Sequence, residues 1–316
     1  MRQYLSIGLF ALLVLSLAGS CGSRDTKPQL PGNLDTLCMP DYASGFEMYR
    51  YDSSTLLRIV NPWQGADSVS QWVFLSRDDE KPPKGFDGET INVPARRIVC
   101  MSSSYVAFLE ALGADSTICA ISGTGYIWSD KVRSRIATGE IAEAGFDNSL
   151  NFEKLVALKP DVVFLYGLAG ENAVTDKLHE LGLKTVYIGD YVENNPLGRA
   201  EWITVFGEFT GRRELARTLF DSISNEYNRA KALVSDVEKR PEVMLNAPWQ
   251  DSWFVPGDRS YMVRLLEDAG GNYACRGVDS DQSRPISTET AFVTASQSDF
   301  WLSPGTATSL AELNAV

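Results

Sequence analysis

The chain has 316 residues, with 41 acidic side chains against 29 basic ones and a formal net charge of −12 at pH 7. Such a surface repels the phosphate backbone of nucleic acids, and no lysine- or arginine-rich cluster interrupts it, so nucleic-acid binding is excluded. The length suits two domains of ordinary size.

The N-terminus carries the pattern of an export signal. Arg2 precedes an apolar run over residues 5–17, and three small residues then lead to Cys21. The run is too short to span a membrane comfortably, which predicts a signal peptide over residues 1–20 that is removed. Small residues directly before a lone cysteine resemble a lipoprotein signal, so Cys21 is the predicted lipidation site. An ordinary secretory signal with an incidental cysteine is the alternative.

A change of pattern near residue 46 separates two short regions. Residues 21–45 are mostly polar and contain prolines, which is typical of a flexible tether. Residues 46–93 contain short apolar runs between turn residues, which predicts a small antiparallel β element packed on the first lobe. The simplest interpretation is that this element covers a sheet edge, and any further role stays open.

Residues 94–200 alternate between predicted strands and helices and form a first α/β lobe. Their strands are continuous apolar runs, which is typical of a parallel sheet covered by helices on both faces. Asn151 is predicted to cap the helix before the third strand. Ligands of such sheets bind beyond the carboxyl ends of the strands, and the first three ends lie at Ser102, Ser122 and Tyr166.

The rest of the chain divides into a helical segment and a second lobe. Residues 201–240 are largely helical, with apolar side chains recurring at helical spacing. Residues 241–316 form a second α/β lobe with fewer predicted strands and helices than the first.

Catalytic and metal-binding patterns are scarce. His179 is the single histidine, and its helical neighbours indicate an ordinary surface position. The sequence has neither a G-x-S-x-G elbow nor a Walker motif, and one histidine cannot supply the imidazoles that a bare zinc ion requires. We therefore predict that the protein is not an enzyme and holds no metal ion or cofactor of its own.

Four cysteines remain besides the predicted lipidation site. Cys100 and Cys119 fall in neighbouring strands of the first lobe, and we predict buried free thiols on opposite faces of the sheet. Export permits disulfides, so a bridge between them is the alternative. The state of Cys38 and Cys275 stays open.

Two segments together carry a family resemblance. The run RIVCMSSSYVAFLEALGADSTICAISG over residues 97–123 is followed by NFEKLVALKPDVVFLYG over residues 151–167. This pair resembles the periplasmic binding proteins of ABC importers for iron-siderophores, haem and cobalamin, and the similarity covers residues 92–302. Neither segment alone would be specific.

The resemblance implies a two-lobed α/β fold with mostly parallel sheets. One long helix joins the lobes in this family, and residues 201–240 are in the corresponding place. The family also has more strands and a closing helix in the second lobe, so residues 241–316 are expected to form an incomplete lobe from a truncated chain.

The resemblance also implies a function. We expect a lipid-anchored, monomeric solute-binding protein in the periplasm that delivers a metal chelate to permease subunits and their ATPase. Ferric siderophore or haem is the first choice and cobalamin the alternative, and Arg259, Arg264 and Arg284 favour an anionic iron chelate. An exported chelate-processing enzyme and a structural surface lipoprotein are the rival classes.

A chelate brings its own metal ligands and needs an aromatic cleft with a few polar anchors. Ordinary packing explains any one of the candidate aromatic residues equally well. The predicted ligand-binding residues are Tyr105, Tyr126, Trp128, Phe146, Tyr166, Trp249, Trp253 and Arg259.

Two glutamates are predicted to dock the permease. Glu153 and Glu289 each lie in the first turn of a predicted helix, one in each lobe. The resemblance implies that each pairs with arginines of the permease subunits. The alternative is stabilisation of the helix dipole, which contributes about 0.3–1 kcal/mol for each carboxylate.

Overall fold

The computed structural model describes residues 35–146, 149–167, 173–249, 252–302 and 309–313. The predicted signal peptide, Cys21 and the first part of the tether lie outside these residues. In the described ranges no helix is both long enough and apolar enough to cross a membrane.

A five-stranded sheet precedes the first lobe. Its strands are β1 (Asp35–Cys38), β2 (Phe46–Tyr51), β3 (Ser54–Val60), β4 (Ser70–Ser76) and β5 (Glu89–Asn92), in that spatial order. The first three pairings are antiparallel and β4–β5 is parallel, which confirms the predicted N-terminal element. Strand β1 falls in the segment that the sequence assigned to the tether, because an edge strand of four residues carries little hydrophobic signal.

The first lobe contains a parallel sheet in the order β10-β9-β6-β7-β8. Its strands are β6 (Ile98–Cys100), β7 (Ile118–Ile121), β8 (Ala142–Glu143), β9 (Val162–Leu165) and β10 (Thr185–Tyr187). The helices of this lobe are α1 (Ser103–Ala111), α2 (Asp130–Ala137), α3 (Phe152–Leu158) and α4 (Ala173–Glu180).

Side-chain caps define where these helices begin. Ser102, Ser129 and Asn151 each accept a backbone N–H in the first turn of α1, α2 and α3. Helix α3 ends at Leu158, and the following Lys159 takes a left-handed conformation with φ 47° directly before Pro160. The predicted Asn151 cap is therefore confirmed.

The two faces of the parallel sheet are covered by separate clusters of apolar side chains. Cys100 belongs to one cluster and Cys119 to the other, so their thiols lie on opposite faces. Both are free and buried, as predicted, and Cys275 is a third buried free thiol.

The side chain of Gln71 makes two of the contacts that join the N-terminal sheet to the edge of the lobe sheet. The Gln71 amide donates to the Thr185 carbonyl at 3.0 Å, and the Tyr187 N–H donates to the Gln71 side-chain oxygen at 2.9 Å. The carboxamide thus takes the place of a peptide group of an added strand on β10. This contact supports the interpretation of the element as an edge cover.

Three helices, rather than one, follow the first lobe. They are α5 (Pro196–Glu201), α6 (Ile203–Thr210) and α7 (Arg213–Ala232). Helix α6 is buried all round and is followed by Gly211, whose φ of 69° lies in the left-handed region that favours glycine. The 20-residue α7 is the long helix that the resemblance predicts.

Helix α7 contacts the second lobe near its C-terminal end. The Tyr227 hydroxyl donates to the Asp268 carboxylate at 2.9 Å, and the Lys231 ammonium lies 2.7 Å from the same carboxylate. Arg199 of α5 also lies over the ring of Tyr261 at 4.9 Å. The second lobe is therefore attached to the linking helices by these contacts.

In its described residues the second lobe contains two three-stranded sheets. The parallel one has the order β14-β11-β16, with β11 (Glu242–Leu245), β14 (Asn272–Tyr273) and β16 (Phe300–Leu302). The antiparallel one, which the sequence did not predict, has β12 (Pro248–Trp249), β13 (Ser252–Val255) and β15 (Arg284–Ile286). The helices are α8 (Tyr261–Asp268), α9 (Thr288–Gln297) and α10 (Leu310–Leu313).

Candidate ligand-binding site

A cavity of about 240 Å³ lies at the carboxyl ends of the first-lobe strands, where the sequence predicted the site. Serines from the ends of β6 and β7 supply its hydroxyl groups. Its aromatic wall consists of Tyr105, Tyr126, Phe146, Tyr166 and Tyr191. Four of the predicted ligand-binding residues therefore share one opening.

The two most exposed rings of this cavity meet at Gly123. Tyr126 is 69% exposed and Phe146 is 52% exposed. A Cβ on Gly123 would lie 2.9 Å from the Tyr126 ring and 3.4 Å from the Phe146 ring. The positive φ of 75° favours glycine here, and the absence of a Cβ leaves room for the Tyr126 ring.

Tyr105 lies at the floor of the cavity. It is fully buried, and its hydroxyl lies 3.2 Å from the carbonyl oxygens of Leu165 and Ile188. Burial raises the pKa of this phenol well above its usual range. The hydroxyl is occupied by the protein and the side chain is fully buried, so Tyr105 shapes the cavity floor and offers a ligand no polar group.

Asp190 and Tyr191 also line the cavity, and the sequence analysis missed both. They lie shortly after the end of β10, so the rule about strand ends could have found them. Asp190 is 1% exposed, and burial raises the pKa of its carboxyl although Ser104 and Arg199 lower it. Its Oδ2 atom lies 3.9 Å from the Arg199 Nε and has no hydrogen-bond partner among the described residues.

A larger cavity of about 510 Å³ shares Tyr191 with the smaller one. The first lobe contributes the segment after β10, and the second lobe contributes Asn246, Ser260 and Tyr261. The loop between β3 and β4 of the N-terminal sheet forms a third wall, with Trp63 and its neighbours. This cavity therefore lies between the two lobes.

Trp253 of the second lobe does not occupy its predicted position in the cleft. Trp253 is buried and its indole N–H donates to the Leu245 carbonyl at 3.2 Å, while its ring packs against Trp301 with centroids 5.5 Å apart. It is a core residue because the alternation along β13 turns it inward and Phe254 outward. The side chain of Trp249 lies outside the description, although its backbone pairs with Ser252.

Two further predicted residues lie away from both cavities. Trp128 is 91% exposed and lines neither of them. Arg259 pairs with Asp279 at 2.8 Å and also lines neither cavity. The assignment of these side chains to the cleft is corrected accordingly, because each lies on an exposed surface beyond the strand ends.

The predicted docking glutamates have equivalent local settings. Glu153 and Glu289 are both exposed and lie in the first turns of α3 and α9. Asn151 and Ser287 cap these helices, so neither glutamate is needed as a cap.

The described part of the chain offers few side chains for metal binding or for histidine chemistry. No group of three or more histidine, cysteine or acidic side chains there could hold a metal ion. The His179 ring hydrogen-bonds to Thr185 at 2.7 Å and lies 3.4 Å from Glu89, at the edge of the first lobe.

The fold and the cavity at the strand ends define a two-lobed solute-binding protein. Residues 98–313 match the model of the periplasmic binding protein family, and the chain belongs to that family. This confirms the resemblance found in the two sequence segments.

Solved structures and curated relatives extend this match. The periplasmic heme binding protein HutB of Vibrio cholerae superimposes with a TM-score of 0.56 at 21% identity, over 70% of this chain and 82% of that one. A possible iron-binding periplasmic solute-binding protein of Staphylococcus epidermidis superimposes with a TM-score of 0.51 at 20% identity, over 64% of this chain and 74% of that one. The uncharacterized lipoprotein MJ0878 of Methanocaldococcus jannaschii is 27% identical over 96% of this chain and 80% of its own length.

Proposed function

We propose that the protein captures a metal chelate and delivers it to the permease subunits of an ABC importer. Ferric siderophore or haem is the proposed ligand class, and cobalamin is the alternative. The observation that carries the proposal is the aromatic cavity at the first-lobe strand ends, beside a larger cavity between the lobes. A ring-lined opening with few polar anchors suits a preassembled complex that presents an organic surface.

The settings of the titratable groups support binding rather than catalysis. The single histidine lines neither cavity. Asp190 is the one carboxyl in the smaller cavity among the described residues, and it lies beside no nucleophile activated by a base. A binding protein that releases its ligand unchanged needs neither group.

We also propose that a lipid on Cys21 anchors the protein to a membrane, facing the periplasm. The export pattern before this cysteine supports the anchor. A relative described as a lipoprotein, similar over 96% of this chain, supports it further. Mass spectrometry of the protein from membranes would detect the lipidated N-terminal peptide, and an unmodified mature N-terminus would refute the anchor.

Calorimetry and intrinsic fluorescence test the ligand class together. Haemin, cyanocobalamin and ferric complexes of hydroxamate and catecholate siderophores are titrated into the full-length protein. Trp63 lies in the wall of the larger cavity, so a bound chelate quenches it, and Trp63→Phe should reduce the quench while calorimetric affinity persists. Trp128→Phe is the matched control, because Trp128 lines neither cavity. Failure of every chelate to bind would refute the proposal.

A further inference from the structure

The loop between β3 and β4, residues 61–69, reaches the strand ends of the first lobe. Trp63 packs edge-on against Tyr187 with ring centroids 5.1 Å apart, and it lies so close to Gly167 that a Cβ there would be 2.6 Å from the indole. The Gln64 N–H donates to the Tyr191 hydroxyl at 3.3 Å, and that hydroxyl donates in turn to the Gly167 carbonyl. The loop is therefore built into the strand-end site rather than lying beside it.

Carboxylates outnumber cations along the two cavities. Among the described residues their walls carry four carboxyl groups, from Asp67, Asp190, Glu193 and Asp281, and a single guanidinium, from Arg199. Asp67 comes from the β3–β4 loop, and Asp281 faces the same cavity from the second lobe. Both are exposed.

The remaining charged groups of the cavities are already engaged. Glu193 accepts the backbone N–H groups of Ser44 and Gly45 and the Trp202 indole N–H. Arg199 lies over the Tyr261 ring at 4.9 Å and 3.9 Å from the Asp190 carboxylate. Asp190 is also buried, so Asp67 and Asp281 are the exposed ionic groups of these walls that a ligand meets.

The second-lobe arginines do not reverse this balance. Arg259 pairs with Asp279, and Arg284 donates to the Cys275 carbonyl at 3.1 Å. Neither these two nor Arg264 lines a cavity. The preference for an anionic chelate that the sequence analysis drew from them therefore loses its basis.

We propose that the β3–β4 loop is a third wall of the ligand site and that the site selects neutral or positively charged chelates carrying hydrogen-bond donors. This inference rests on the proposed chelate-binding function and narrows it. Asp67 and Asp281 attract ammonium, amide or hydroxyl donors on the ligand rim, and they repel the carboxylates or catecholates of anionic complexes. The aromatic cavity accepts the apolar side of the same ligand.

A calorimetric comparison of chelates with different charge tests this selection. The probes are ferrioxamine B, a positively charged trihydroxamate, the strongly anionic ferric enterobactin, and haemin, which carries propionates. We expect ferrioxamine B to bind at least about tenfold more tightly than either anionic probe at low ionic strength. Each carboxylate should contribute about fivefold, and salt should shrink the difference.

Variants that remove charge test whether the carboxylates of the cavity walls cause this preference between chelates. Asp67→Asn combined with Asp281→Asn should lower the preference for ferrioxamine B about tenfold or more, and both side chains are exposed, so the fold is retained. Asp78→Asn is the matched control, because Asp78 is exposed on the same N-terminal sheet and lines neither cavity.

The outcomes separate this inference from the proposed function. Anionic probes that bind as tightly as ferrioxamine B overturn the charge selection and leave chelate binding intact. A preference that survives the double substitution overturns the role of the third wall. If no chelate binds at all, the proposed function and this inference both fail.

Discussion

The carboxylate of Glu201 accepts the backbone N–H of Tyr42 at 2.8 Å, although the two residues are 159 positions apart in the chain. The same carboxylate accepts the N–H groups of Asp41 and Ala43, each at 2.9 Å, and it is fully buried. A buried charge is tolerated only when it is paired or fully hydrogen-bonded, and here three peptide groups supply the bonds. One side chain of α5 therefore fixes the segment that leads into the N-terminal sheet.

We expect Glu201→Gln to lower the free energy of unfolding by about 2–4 kcal/mol. The glutamine offers one acceptor oxygen and brings an NH₂ group toward peptide N–H groups, so buried donors lose their partners. Chemical denaturation measures the change. Glu214→Gln, at an exposed position in the first turn of α7, is the control and should stay within about 0.5 kcal/mol of the wild type. Equal stability of the two variants would contradict the role of Glu201.

Burial on both faces explains how much of the first lobe could be predicted from the sequence. The runs that became β6, β7 and β9 are apolar throughout because helices cover both sides of the sheet, and the strand-end rule then located Tyr126, Phe146 and Tyr166. The same rule could also have located Asp190.

The remaining parts of the site depend on packing that has no local signature. Trp63 reaches the strand ends from the N-terminal sheet, which Gln71 helps to join to β10. Trp253 follows the second lobe's first strand but turns inward on β13, and alternation within a four-residue strand is too short to read. The long-range docking of the N-terminal sheet and the small second-lobe sheet could therefore not be predicted from the sequence.

Trp63 and Gly167 should be energetically coupled. An added Cβ at Gly167 would lie 2.6 Å from the Trp63 ring, so Gly167→Ala should cost about 1–3 kcal/mol of unfolding free energy. In a Trp63→Ala background the ring is gone, and the same substitution should cost much less. A double-mutant cycle from denaturation curves measures this coupling. Additive costs would show that the contact between loop and strand end is not formed.

Exposed rings at the smaller cavity should carry measurable affinity. Tyr126→Ala removes a ring that is 69% exposed beside Phe146, and we expect the affinity for the chelate that binds tightest to fall about three- to tenfold. Trp128→Ala removes an even more exposed ring outside the cavity and should leave affinity within about twofold. Calorimetric titration of both variants measures these affinities. An equal loss of affinity in the two variants would place the ligand outside this cavity.

Asp190 should make stability depend on pH in a defined direction. Burial raises the pKa of its carboxyl above the usual value of 3.8, so the folded protein binds a proton more tightly than the unfolded chain does. This contribution is fully present below pH 3.8 and is lost as the pH rises through the folded-state pKa. The stability of Asp190→Asn relative to the wild type should therefore increase between about pH 3 and pH 7.

Denaturation curves across that pH range test the Asp190 prediction. Asp130→Asn, at a side chain that is 99% exposed, controls for the loss of one negative charge. A relative stability of Asp190→Asn that falls with rising pH would show that the wild-type carboxylate is stabilised, not penalised, by its surroundings.

Glu153 and Glu289 provide a prediction for delivery that is independent of ligand capture. Both carboxylates are exposed in capped first turns, one in each lobe, and neither lines a cavity. If they pair with permease arginines, Glu153→Arg or Glu289→Arg replaces attraction by repulsion, and uptake should fall tenfold or more with ligand affinity unchanged.

The docking prediction needs one assay for each step. Uptake is followed in cells that carry the cognate permease, and affinity is measured on the purified variants by calorimetry. Glu214→Arg, also at an exposed first-turn position, controls for general effects of a reversed charge and should transport normally. Lost affinity in Glu153→Arg would place that residue at the ligand site, and normal uptake in both variants would leave their carboxylates with a helix-dipole role alone, because that role needs no partner.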